Sequence, residues 1–278
     1  MKHGSPDTRL PAALRLFLGL AGLIVAFGSG LLLLPTLIEP LWPWTMSSFG
    51  AGFLGAVYTA ELILDIAILV INQRALLRLA LVLSLGFTGS VSLVTLLHTE
   101  MFNPARPTTP LWYVAYGGSV IILIYALIRE RASLPTGVGT APVWRIYLGI
   151  QGTLLLVYGL AVLLIPGTAT AFWPWKMEIF AAQMYCAIFI SGGIGSLVLA
   201  GRATALELRL LGLTQLSLGV LVLIGLLIAD AASHWVVWSA PGTWLYVAIF
   251  GLLATSGGLL LRQSYQIGRQ PRPAVAHS

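Results

Sequence analysis

Charge is what this sequence has least of. Only 9% of its 278 residues are Asp, Glu, Lys or Arg, against about 25% in soluble domains. A chain so poor in charge cannot clothe a water-facing surface of its own size, which excludes an ordinary soluble domain. Cysteine is nearly absent as well. The one thiol, Cys186, lies inside an apolar run, so there is no disulfide framework and no redox pair; it reads as a small buried apolar side chain. Histidine numbers four. Only His98 and His234 fall outside the tails, and both sit at the edges of apolar runs, which leaves no buried axial pair for haem. The chain also lacks a glycine-rich phosphate loop and any nucleophile with an evident base. These absences lean against an enzyme and call for no cofactor. A net charge of +6 with a pI near 9.8 invites a nucleic-acid reading. The placement of the arginines, singly or in pairs at the ends of apolar runs, argues against one.

What is present is hydrocarbon. Hydrophobic residues make up 58% of the chain, and mean hydropathy is +0.92. The apolar content comes in runs of about 20 residues, the length a helix needs to cross roughly 30 Å of bilayer interior. Eight runs are expected, at Leu14–Ile38, Ser47–Ile71, Leu76–Leu97, Leu111–Ile128, Val143–Ile165, Met177–Ala200, Glu207–Ala229 and Thr243–Leu261. A lipid-facing loop or open sheet would leave backbone groups unpaired, so all eight should be helices. The expected class is all-α, an integral membrane protein.

Thirteen of the fifteen basic residues fall in the tails and alternate connections, and only Arg106 and Lys176 in the other set. The positive-inside rule makes the richer side cytoplasmic, with both termini there and the plasma membrane as the expected location. Tryptophan is asymmetric too. Trp42, Trp44, Trp112, Trp173, Trp175, Trp235, Trp238 and Trp244 fall at the outer boundary, and Trp144 alone at the inner one. Indoles favour the headgroup level, so an anchoring belt is expected there.

The stretch "LWPWTMSSF" at Leu41–Phe49 returns as "FWPWKMEIF" at Phe172–Phe180. At a spacing of 131 residues Pro35 matches Pro166, Trp42-Pro43-Trp44 matches Trp173-Pro174-Trp175, Arg78 matches Arg209 and Pro110 matches Pro241. The chain therefore reads as two copies of a four-helix unit, residues 14–131 and 143–262. A linker at 132–142 joins them, and cytoplasmic tails at 1–13 and 263–278 flank them, of which Met1–Thr8 and Arg269–Ser278 read as disordered. An even number of crossings gives both copies the same sense, a parallel repeat. Because the first apolar run has an internal counterpart, it is expected to be retained as part of the fold and not cleaved as a signal peptide. The six Trp-Pro-Trp residues, Trp42, Pro43, Trp44, Trp173, Pro174 and Trp175, are expected to pin an outer turn to the headgroups. This motif, with the hydropathy, resembles a loose group of uncharacterised polytopic bacterial membrane proteins, and the resemblance brings no activity with it. Gly19, Gly22, Gly28 and Gly30, Gly50, Gly52 and Gly55, and Gly192, Gly193 and Gly195 suggest close helix contacts through small residues.

Two carboxylates interrupt the second run, Glu61 and Asp65 in "YTAELILDIAIL". At 1.5 Å per residue Glu61 lies ~3 Å from the middle of that run and Asp65 ~9 Å, and their spacing puts both on one helix face. A charge so placed costs at least ~2.5 kcal/mol, so that face must meet protein or water. The matching positions in the second half are Gly192 and Ser196; the unit does not need the carboxylates in order to fold. Candidate polar neighbours are Thr59, Ser84, Thr88, Ser119 and Tyr125. Three readings stand. Asp65 pairs with Arg74 or Arg129 while Glu61 hydrogen-bonds to a neighbouring helix; or the two move protons or a cation; or they meet a partner or a lipid headgroup. His98, Glu100, Asp230 and His234 at the outer helix ends are a weaker set of zinc-type ligands.

The leading expectation is an ion- or proton-linked protein that moves or senses a small solute. The alternative is a non-catalytic accessory or assembly subunit of a larger membrane complex. An enzyme acting on lipid or quinone comes third. The expected partners are the lipid bilayer and a membrane protein or second copy, with no nucleic acid.

Overall fold

The computed structural model describes residues 8–130 and 138–267. The expected tails before residue 8 and after residue 267, and most of the expected linker, lie outside the described residues.

Among the described residues eight helices are long and apolar enough to cross a membrane: α1 Ala12–Leu33, α2 Ser48–Ile71, α3 Leu77–Leu97, α4 Thr108–Glu130, α5 Pro142–Leu164, α6 Ile179–Gly201, α7 Ala205–Ser233 and α8 Pro241–Ile267. Local chemistry sets their ends. Proline cannot continue a helix interior, having no N–H to give and a ring that strikes the preceding turn. The expected run Leu14–Ile38 therefore breaks at Leu34, and Pro35 opens a separate turn, Pro35–Ile38. The same break ends α5, with the turn Pro166–Ala169 after it. Ser47 caps α2 by accepting from Gly50 N–H at 3.2 Å. Asn72 ends that helix in the left-handed region, where a short polar side chain is tolerated. Thr204 and Glu207 form a reciprocal capping box that starts α7 two residues earlier than the hydropathy alone implies. A two-residue antiparallel pairing of Val138–Gly139 with Arg202–Ala203 ties the segment before α5 to the α6–α7 connection.

Consecutive helices pack as hairpins: α1 on α2, α3 on α4, α5 on α6, α7 on α8. The hairpins then join across the two halves of the chain, α2 against α7 and α3 against α6. Backbones come close at these seams. A Cβ on Gly52 would lie 3.0 Å from the carbonyl oxygen of Gly225 in α7, and one on Gly55 would lie 2.3 Å from the backbone nitrogen of Leu32 in α1. Gly19 and Gly22, by contrast, have nothing within 4 Å of such a position, whereas a Cβ on Gly28 would meet the Tyr58 ring of α2 at 2.5 Å and one on Gly30 would meet Ile38 of the following turn at 2.5 Å.

Buried side chains separate into two clusters. One is aromatic and lies at the Trp-Pro-Trp end. The other is rich in leucine and lies toward the opposite end. At that end Arg78 of α3 reaches Glu207 of α7, donating from Nε to Oε1 at 3.2 Å and from Nη2 to Oε2 at 3.1 Å, while Nη2 also donates to the Arg202 carbonyl at 2.6 Å. Glu207 is wholly buried.

The Trp-Pro-Trp residues lie inside the protein. All six are buried, with Trp42 at 2% and Trp175 at 9% exposure. Both turns fold inward, and their indoles pack on one another and on phenylalanines of the other half. Trp44 meets Phe180 at 5.2 Å between ring centroids, and Trp175 meets Phe49 at 5.3 Å. Each ring can bury about 150–250 Å² here and gain edge-to-face contacts besides. Arg106 donates to the Trp42 and Trp44 carbonyls and so satisfies the turn's backbone. Trp235 and Trp244 are the strongly exposed indoles.

Candidate functional site

α2 carries Tyr58, Glu61 and Asp65 within two turns of one helix. Tyr58 is buried, and its hydroxyl shares a 2.5 Å hydrogen bond with that of Tyr116 on α4. This diad seals the aromatic end. Below it Glu61 and Asp65 face a cavity of about 810 Å³. The walls draw on both packed clusters, with Val57, Phe87 and Tyr116 from the aromatic one and Leu18 and Leu64 from the leucine one. All eight helices contribute, and among the described residues Glu61 and Asp65 are the only charged ones in the lining.

Asp65 does not form the arginine pair that one reading of the sequence allowed. Arg74 goes to Glu130 in an ion pair, and Arg129 donates to Tyr125 at 3.4 Å. Both arginines are spent on groups near the helix ends, and the ion pairs among the described residues include neither Glu61 nor Asp65. The expected hydrogen bond from Glu61 to a neighbouring helix is likewise absent among the described residues. Of the anticipated polar neighbours, Ser84, Thr88 and Ser119 line the cavity. Thr59 instead bonds back to the Gly55 carbonyl at 2.7 Å, and Tyr125 is exposed.

The second half supplies a polar group that the sequence reading passed over. Gln215 of α7 donates to Gln151 of α5 at 3.0 Å, and Ser256 of α8 donates to Gln215 at 3.4 Å. These three and Tyr147 of α5 line the same cavity. An amide inside an apolar run needs a partner for the reason a carboxylate does, and that was the available signal. The cavity thus has an acidic wall from the first half and an amide wall from the second.

The four weaker candidates for a metal site do not converge. His98 lies 3.3 Å from Glu100 through Nδ1 and 2.6 Å from the Gln183 side chain through Nε2. Asp230 accepts from Val236 N–H at 3.0 Å and Trp238 Nε1 at 2.8 Å. His234 closes α7 in the left-handed region. These contacts are helix-end chemistry, and no three His, Cys, Asp or Glu side chains among the described residues are close enough to hold a metal ion.

No protein-family model, curated protein or solved structure matches this chain, so the functional reading rests on the cavity and its walls.

Proposed function

We propose that this chain is an integral membrane protein of two parallel four-helix repeats, with both termini cytoplasmic, that moves or senses a small solute in its central cavity. Glu61 is the protonatable or ion-binding element, and Asp65 assists it. The observation that carries the reading is the pair of carboxylates facing about 810 Å³ of cavity with no ion-pair partner among the described residues. A carboxylate in an apolar interior is costly unless something meets it, and a solute or proton pathway meets that need. The repeat is supported by packing that exchanges the halves: α2 against α7 corresponds to α6 against α3 at a shift of 131 residues. The Trp44–Phe180 and Trp175–Phe49 contacts correspond in the same way.

Treatment of native membranes with dicyclohexylcarbodiimide, followed by mass mapping, should find Glu61 modified. In reconstituted vesicles carrying an entrapped pH dye, Glu61→Gln should abolish solute-dependent proton movement while inserting normally. An unmodified Glu61, or undiminished proton movement in the variant, would overturn the reading.

An accessory-subunit role draws on α4, which among the described residues packs substantially only on α3 and exposes Leu111, Val114 and Ile121 along its length. Co-purification of a stoichiometric membrane partner in mild detergent is its test.

A further inference from the structure

The reading above leaves the solute unnamed, and the cavity walls narrow it. Both charges in the lining are negative, and they lie one helical turn apart on the same face, about 6 Å along the axis. One compact positive centre can touch both. The remainder is largely hydrocarbon, with Phe17, Phe87, Phe172, Phe189 and Phe250 among the lining residues. Ring faces attract a cation, more so away from water. A hard inorganic cation is held by oxygens alone and would leave most of this largely apolar volume unfilled. The volume is that of a pocket for a drug-sized organic molecule.

The openings point the same way. Among the described residues no substantial packing joins α1 to α4 or α5 to α8, and residues on α1, α5 and α8 line the cavity while being exposed. Ile24 of α1, Ile150 and Leu154 of α5, and Leu252 of α8 all do both. These rims are apolar, so a molecule passing them from a lipid phase crosses no polar barrier.

We propose that the cavity takes lipophilic organic cations, admitted sideways from the bilayer, with the positive centre against Glu61 and Asp65 and the apolar body among the phenylalanines. This proposal rests on the reading of the cavity as a solute site. The probe is tetraphenylphosphonium, with tetraphenylborate as a partner of the same shape and opposite sign, measured by equilibrium dialysis against the full chain in detergent. The phosphonium should bind saturably, and the borate should neither bind comparably nor displace it. Glu61→Gln combined with Asp65→Asn should weaken phosphonium binding at least tenfold, whereas Glu61→Asp, which keeps the charge, should stay within a few-fold of the parent. Absence of saturable phosphonium binding, equal binding of the borate, or undiminished binding in the neutralised variant would overturn the proposal. So would equal losses in Glu61→Asp and Glu61→Gln. If carbodiimide still modifies Glu61 but the phosphonium does not bind, the cation class falls and the solute-site reading stands. If both fail, both fall.

Discussion

Replacing Arg78 by methionine tests the join between the two halves. The parent arginine makes a two-pronged bond to Glu207 at 3.2 and 3.1 Å and a further bond to the Arg202 carbonyl. Its side chain is 15% exposed and that of Glu207 is 0% exposed. Methionine conserves much of the stem's volume and removes every donor. Glu207 is then left as a buried carboxylate holding only the Thr204 backbone N–H at 2.8 Å. Breaking one side of a buried pair costs roughly 3–5 kcal/mol, because the surviving charge stays out of water without compensation. At about 2–4 °C per kcal/mol for chains approaching this size, the expected fall in Tm is roughly 6–20 °C. The assay is a thermal melt in mild detergent followed by tryptophan fluorescence. Glu207→Gln alone should also destabilise, since Arg78 is then the unpaired charge. The double variant should recover much of the loss, giving a coupling energy of at least ~1 kcal/mol. A Tm for Arg78→Met within ~2 °C of the parent would refute the reasoning, and so would strictly additive effects in the cycle.

The Tyr58–Tyr116 diad makes a similar but smaller prediction. Either single change to phenylalanine leaves one buried hydroxyl unpaired at a cost of about 1–3 kcal/mol, whereas the double change removes both and should melt near the parent; a double variant worse than either single one would be inconsistent with the bond. At the α1–α2 seam, Gly55→Ala forces the helices apart, because its Cβ would sit 2.3 Å from the Leu32 backbone nitrogen. A loss of about 1–3 kcal/mol is expected from such overpacking, against no loss for Gly89→Ala, which has nothing within 4 Å. Equal melts for the two variants would contradict the seam.

Hydropathy is a property of neighbours along the chain, and so the sequence alone determined the eight helices and the depth of Glu61 and Asp65 within α2. The 131-residue correspondence was visible for the same reason, since it compares residue with residue. Which helix faces which is another matter. α2 meets α7 and α3 meets α6 across more than a hundred residues, through seams such as Gly52 against Gly225, and no local signal specifies a seam between distant faces. The tertiary structure alone turned the Trp-Pro-Trp rings inward, spent Arg74 on Glu130 and left Asp65 facing open space. It also brought Gln151 and Gln215, 64 positions apart, into the same cavity as Glu61. A side chain's polarity is written at its position, but its partner is chosen by packing, and among the described residues packing supplied no ion-pair partner to Glu61 or Asp65.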